Sequence, residues 1–175
     1  DVFSGKRLHM QDSLCFYLLL SYESKCYYYL NRMEDAFRTN KEVIRYCTDH
    51  ASFDRSRALL AEAFNNQGVY WQELGERDSA IRVLKSAINI LQMTPNRNVL
   101  TSVYINLADC HLQKGDYPQC GFYYRKALLV ADSLALGYRD HFAIYSGLAK
   151  LYLELENFPE ANEYFVKAEQ IGNSC

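Results

Sequence analysis

Apolar positions recur along this chain at helical spacing. In one stretch Tyr104, Leu107, Ala108, His111 and Leu112 fall at i, i+3, i+4, i+7 and i+8, which is one face of an α-helix. Gly115 follows, and glycine tolerates the left-handed backbone that closes a helix. Asp116-Tyr117-Pro118 then opens a second helix, because the missing N–H of proline has no partner in a first turn anyway. That second helix carries Cys120, Tyr124, Ala127, Leu128 and Ala131 on its buried face. β-Branched residues never alternate with polar ones over a strand's length, and three Pro and eight Gly leave few breakers. The pattern predicts an all-α chain.

The same pattern repeats. Phe64-Asn65-Asn66, Tyr104-Ile105-Asn106 and Tyr145-Ser146-Gly147 begin 40 and then 41 residues apart. The offset persists downstream in Trp71, His111 and Tyr152; in Gly75, Gly115 and Glu156; in Ala80, Cys120 and Ala161; and in Ala87, Ala127 and Ala168. A weaker first unit starts near Leu20, with Met33-Glu34-Asp35-Ala36 matching Phe158-Pro159-Glu160-Ala161 and a helix junction near Asn31-Arg32. Ala36 to Ala80 is 44 residues, so its second helix or the loop at Ala51 to Asp54 must be a turn longer. Eight helices are predicted, at 13–30, 34–50, 55–74, 78–92, 97–114, 118–134, 139–155 and 159–171. They pair into repeats at 13–50, 55–92, 97–134 and 139–171 within one domain, 1–175. Small residues at Ala80, Cys120 and Ala161 would let paired helices approach closely beside aromatics such as Trp71 and Tyr124.

The run from Tyr104 through Lys114-Gly115-Asp116-Tyr117 to Lys126-Ala127 resembles a tetratricopeptide repeat. Phe64 to Ala87 and Tyr145 to Ala168 resemble it too, and Leu20 to Val43 more weakly; Gln67, Glu156 and Asn40 depart from the family pattern. The resemblance implies a right-handed superhelical solenoid of antiparallel helix pairs, whose concave groove binds a peptide or protein segment. The long spacing resembles repeats of bacterial signalling proteins and peptide receptors, which implies the sensing or scaffolding part of a bacterial regulatory protein. Both ends read as cut from something longer.

The first helix of each unit is expected to face the groove. Its candidates are Tyr22, Lys25 and Tyr29; Asn65 and Asn66; Asn106, Asp109 and Gln113; and Lys150. Asn66 and Asn106 stand where resembling repeats hold a peptide backbone, since an amide both donates and accepts; the alternative is that they satisfy neighbouring helices. Glu62, Glu73, Asp109 and Glu154 outnumber Lys25 and Lys150 in this set, so the groove reads as acidic. A neutral or basic segment is expected rather than an acidic tail. The rival reading is an oligomerisation element, a homo-oligomer stacking through the terminal helices by way of Tyr164 or Phe165.

Composition narrows the rest. Nineteen Lys and Arg against 21 Asp and Glu argue against a nucleic-acid partner. The longest apolar run, Leu14 to Leu20, is too short to span a bilayer. The six cysteines form no C-x-x-C and share no metal-ligand spacing with the four histidines, so no metal is expected. Cys15 and Cys26, 11 residues apart on one helix, and Cys110 and Cys120, on paired helices, are too far apart to bridge. Reduced thiols favour a cytoplasmic setting, with a periplasmic one still open. No nucleophile–base set, phosphate loop or carboxylate pair appears, which predicts a non-catalytic chain without cofactor.

Overall fold

The computed structural model describes residues 10–94 and 99–173. Over them the chain forms eight helices: α1 (Met10–Tyr29), α2 (Met33–Asp49), α3 (Asp54–Glu73), α4 (Arg77–Leu91), α5 (Leu100–Gln113), α6 (Tyr117–Ser133), α7 (Tyr138–Glu154) and α8 (Phe158–Gly172). No strand occurs among the described residues. The fold is an all-α solenoid of four antiparallel pairs, α1–α2, α3–α4, α5–α6 and α7–α8.

One turn joins the helices within every pair. Asn31, Gly75, Gly115 and Glu156 all take positive φ, at 57°, 77°, 72° and 54°. In each case two backbone N–H groups fold back onto the preceding helix: Gly115 to Leu112 and Asp116 to His111, with the same bonds around Asn31, Gly75 and Glu156. These bonds satisfy carbonyls that the helix end leaves open. The first unit therefore obeys the register of the others, and its longer spacing lies in helix: α2 runs 17 residues and α3 runs 20.

Packing follows from side-chain size. Ala36, Ala80, Cys120 and Ala161 sit at the same place in the second helices and are all buried. With little beyond Cβ there, the paired helices come close, and larger groups fill the flanks. Gly68 is held to glycine because a Cβ would run into Leu84, and Gly147 because Tyr124 lies over it. Three core clusters interlock along the stack. Val43 and Cys47 of α2 pack with Leu59 and Ala63 of α3; Leu84 and Leu91 of α4 with Val103 and Leu107 of α5; Tyr124 and Ala127 of α6 with Ile144 and Leu148 of α7. Each pair thus buries its apolar face on the next, as a repeat that cannot close its own core must.

The two layers differ. First helices touch in succession, α1 on α3, α3 on α5 and α5 on α7, whereas no Cα of one described second helix comes within 8 Å of the next second helix. The layer that stays in contact is the inside of the curve, so the stack is concave on the first-helix side.

Glu156 is the costly member of the turn column, because a side chain in the left-handed region clashes with its own backbone. Glu156→Gly is expected to raise unfolding stability by about 1 kcal/mol. Urea denaturation checks this, and an unchanged or lowered midpoint would contradict it.

Candidate peptide-binding surface

The first helices present one polar row, and neighbouring repeats consume much of it. Lys25 donates to Glu62 at 2.8 Å. The Asn106 amide donates to Asn65 at 2.9 Å, and the buried Asn66 reaches the Ser21 hydroxyl at 3.4 Å. Each bond crosses from one first helix to the next. The spacing predicts an open position for Asn66; the structure turns it instead toward α1. Asn65 and Asn106 are half-buried and hold each other.

Asp109 is also drawn inward. Tyr124, fully buried on α6, donates its hydroxyl to the Asp109 carboxylate. Burial pushes the Asp109 carboxyl above the ordinary aspartate range, against the pull of the Tyr124 hydrogen bond and the Lys150 charge. Burial likewise raises the Tyr124 hydroxyl, with the Asp109 charge adding to it. The remaining candidates stay in reach of solvent. Lys150 and Gln113 are exposed, Gln113 accepting from Arg77 at 3.3 Å. Tyr22 and Tyr29 lie on the outer side of α1, Tyr29 being 82% exposed, and the Lys25 ammonium rests 4.4 Å from the Tyr22 ring centroid.

Two of the acidic groups counted on the groove are therefore engaged from within: Glu62 pairs with Lys25, and Asp109 accepts from Tyr124 with the Lys150 charge acting on it. Glu73 and Glu154 remain at the C-terminal rim of their helices, Glu154 accepting from Tyr117 at 3.5 Å.

The structure also holds a feature that the sequence reading missed. A hollow of about 320 Å³ opens between α1, α3 and the start of α5, with Leu14, Leu18, Ala58, Leu59 and Val99 as its apolar wall. Arg55 and Glu62 stand at its edge. The seven-residue apolar run Leu14 to Leu20 of α1 carries apolar side chains on all sides of the helix, which leaves some of them uncovered. The volume falls within the range of small ligand sites and holds a bulky side chain.

The five described cysteines are free thiols. Cys47, Cys110 and Cys120 are buried, and burial pushes their thiols up to about 12. Cys15 and Cys26 are exposed on α1; Cys175 lies outside the described residues. No group of three or more His, Cys, Asp or Glu gathers in metal-binding fashion among the described residues. No described helix is long and apolar enough to cross a membrane.

Helix pairs stacked through interlocked cores, with a layered concave face, define a helical-repeat solenoid. Residues 99–174 match the family model of the tetratricopeptide repeat, and the turn geometry of that part is reproduced in the first two pairs. Over residues 99–174 the chain is thus similar to tetratricopeptide repeats, which generally mediate protein–protein interaction and scaffolding. No curated protein matches it.

The buried Tyr124–Asp109 bond carries a pH signature. A folded-state pKa raised above the unfolded one means that the native chain holds the proton more tightly; that stability is present at low pH and is lost as pH climbs through the raised value. Tyr124→Phe removes the donor to a buried carboxylate and is expected to cost about 2 kcal/mol, with a larger loss at neutral pH than at about pH 4. Urea titrations at the two pH values test it, and a pH-independent loss would contradict the assignment. In dilute native protein, Cys15 and Cys26 are expected to react with an aromatic disulfide reagent roughly tenfold or more faster than the three buried thiols, as mapped by mass spectrometry.

Proposed function

We propose that the first-helix layer holds a peptide or protein segment, with a bulky apolar side chain of that segment seated in the hollow between α1, α3 and α5. The observation that carries this reading is the hollow itself: an apolar wall open on the concave face, beside a half-buried polar row able to bond a backbone. Because Glu62 is already paired with Lys25, Arg55 is the charge left to meet the occupant at the hollow. The segment this reading prefers places a carboxylate next to its apolar anchor, whereas the charge count over the whole groove suggests a neutral or basic segment. Asn65, Asn106, Gln113 and Lys150 extend the surface toward the C-terminal repeats. The four pairs work in this reading as one unit, and their long spacing supports a sensing or scaffolding part of a larger regulatory protein.

Leu18→Asp places a charge in the hollow, and Arg55→Glu reverses the charge at its edge. Both are expected to weaken capture of the partner by at least about tenfold, while Lys85→Glu, exposed on α4, leaves it unchanged. Immobilised full chain and these variants, compared for the same captured segment and then titrated with that segment as a labelled peptide, provide the measurement. Binding that survives Leu18→Asp at full strength would sink the groove reading.

A further inference from the structure

The register of the second helices breaks at one side chain. After Ala36, Ala80 and Cys120 come Phe37, Ile81 and Gly121. Phe37 fills the joint between the first two pairs, its ring centroid 4.7 Å from that of Trp71 and 5.5 Å from that of Tyr70. Ile81 packs against the cluster that joins α4 to α5. Gly121 brings no side chain to the joint between α6 and α7, and a hollow of about 450 Å³ lies there, walled by Tyr117 of α6 and by Leu151 and Tyr152 of α7. Tyr152 is the register equivalent of Trp71, so the ring on which Phe37 rests at the first joint has its counterpart here in the wall of a hollow. Both helices of this joint are in place. Further repeats would add beyond α1 or α8 and leave it as it is, because a repeat touches only its neighbours.

The rim of the hollow is open as well. Across the α4–α5 joint Lys114 pairs with Asp78, whereas the equivalents at α6–α7 are Leu155 and Pro118, which form no such bridge. Arg125 lies over Gly121, one guanidinium nitrogen 3.3 Å from where a Cβ would stand, and it forms no ion pair or hydrogen bond with any described residue. Lys41 and Lys85 hold that place in α2 and α4, beside Phe37 and Ile81; the arginine of the row is the one beside the hollow. Its planar fork takes a carboxylate through two hydrogen bonds, which an ammonium does not match. Glu154 is already engaged, accepting from Tyr117 at 3.5 Å about two turns of α6 away from Arg125.

We propose that the α6–α7 hollow is a second docking site, independent of the concave face, for a partner protein segment that presents a phenylalanine-sized side chain with an acidic residue beside it. The guest side chain takes the place that Phe37 and Ile81 fill from within at the other joints, and its acidic neighbour meets Arg125. A protein side chain is the favoured occupant because two of the three joints show this place filled by one.

Two capped tetrapeptides serve as probes, one with phenylalanine next to aspartate and one with phenylalanine next to lysine. Each is titrated into the full chain labelled at its leucine methyl groups and followed by NMR. The aspartate peptide is expected to shift the Leu151 and Leu155 methyls to saturation and to bind roughly fivefold or more tighter than the lysine peptide. Arg125→Glu, at an exposed position, is expected to reverse that preference. Gly121→Ile supplies the missing side chain from within and is expected to abolish the shifts, with helicity checked for both variants. Arg125→Glu decides the matter if Gly121→Ile does not fold. Shifts confined to Leu14 and Leu18 of the concave hollow, equal affinity for the two peptides, a preference unchanged in Arg125→Glu, or binding retained by a folded Gly121→Ile would each overturn the proposal, as would the absence of any saturable shift.

Discussion

Close approach of the two helices in each pair depends on minimal side chains where the second helix begins. Ala36, Ala80, Cys120 and Ala161 keep that crossing tight, and a connection of only three residues can then reverse the chain. A larger residue would wedge the pair open and pull the turn out of the geometry in which its N–H groups close the first helix. The cores lie downstream of this constraint. Only when the pair is narrow do side chains such as Leu84 and Tyr124 reach across to a neighbouring helix, and there they demand glycine at positions 68 and 147. Bulk and its absence are thus paired along the stack, and the pairing holds the repeats in one register.

The polar row on the concave side is a second product of that register. First helices that touch in succession bring groups 37 to 45 residues apart into bonding range: Lys25 with Glu62, Asn65 with Asn106, Ser21 with Asn66. These bonds cross between repeats at half-buried or buried positions, where hydrogen bonds that fail leave a desolvated polar group behind. They favour a fixed spacing between neighbours and at the same time withdraw side chains from the binding surface. In the proposed reading, what is left for a partner is the remainder, chiefly the apolar hollow with Arg55 beside it.

The sequence disclosed the helices and turns because their signals are local. A period of 3.6, a left-handed residue at a fixed offset and a small residue five positions later can be read without knowing what lies across the fold. Even the first unit, where Asn31 replaces glycine, was legible once its junction was placed. The candidate surface was legible only in part. The first-helix column pointed to Asn65, Asn106, Gln113 and Lys150, but the fates of Asn66 and Asp109 depend on Ser21 and Tyr124, partners that no local pattern specifies. The hollow escaped for a related reason: Leu14 and Leu18 sit in an apolar run that hides which of its members lack a neighbour.

The unequal layers have a mechanical consequence. Contact between successive repeats is continuous through the first helices, while the second helices stand apart from one another. Bent along its length, such a body deforms like a strip with its stiff side inward. Small changes of spacing in the inner layer become larger displacements at the outer layer and between the ends. A guest wedged into the inner layer would therefore be reported at a distance as a change in the angle between the first repeat and the last, which is how a passive cradle can also serve as a gauge.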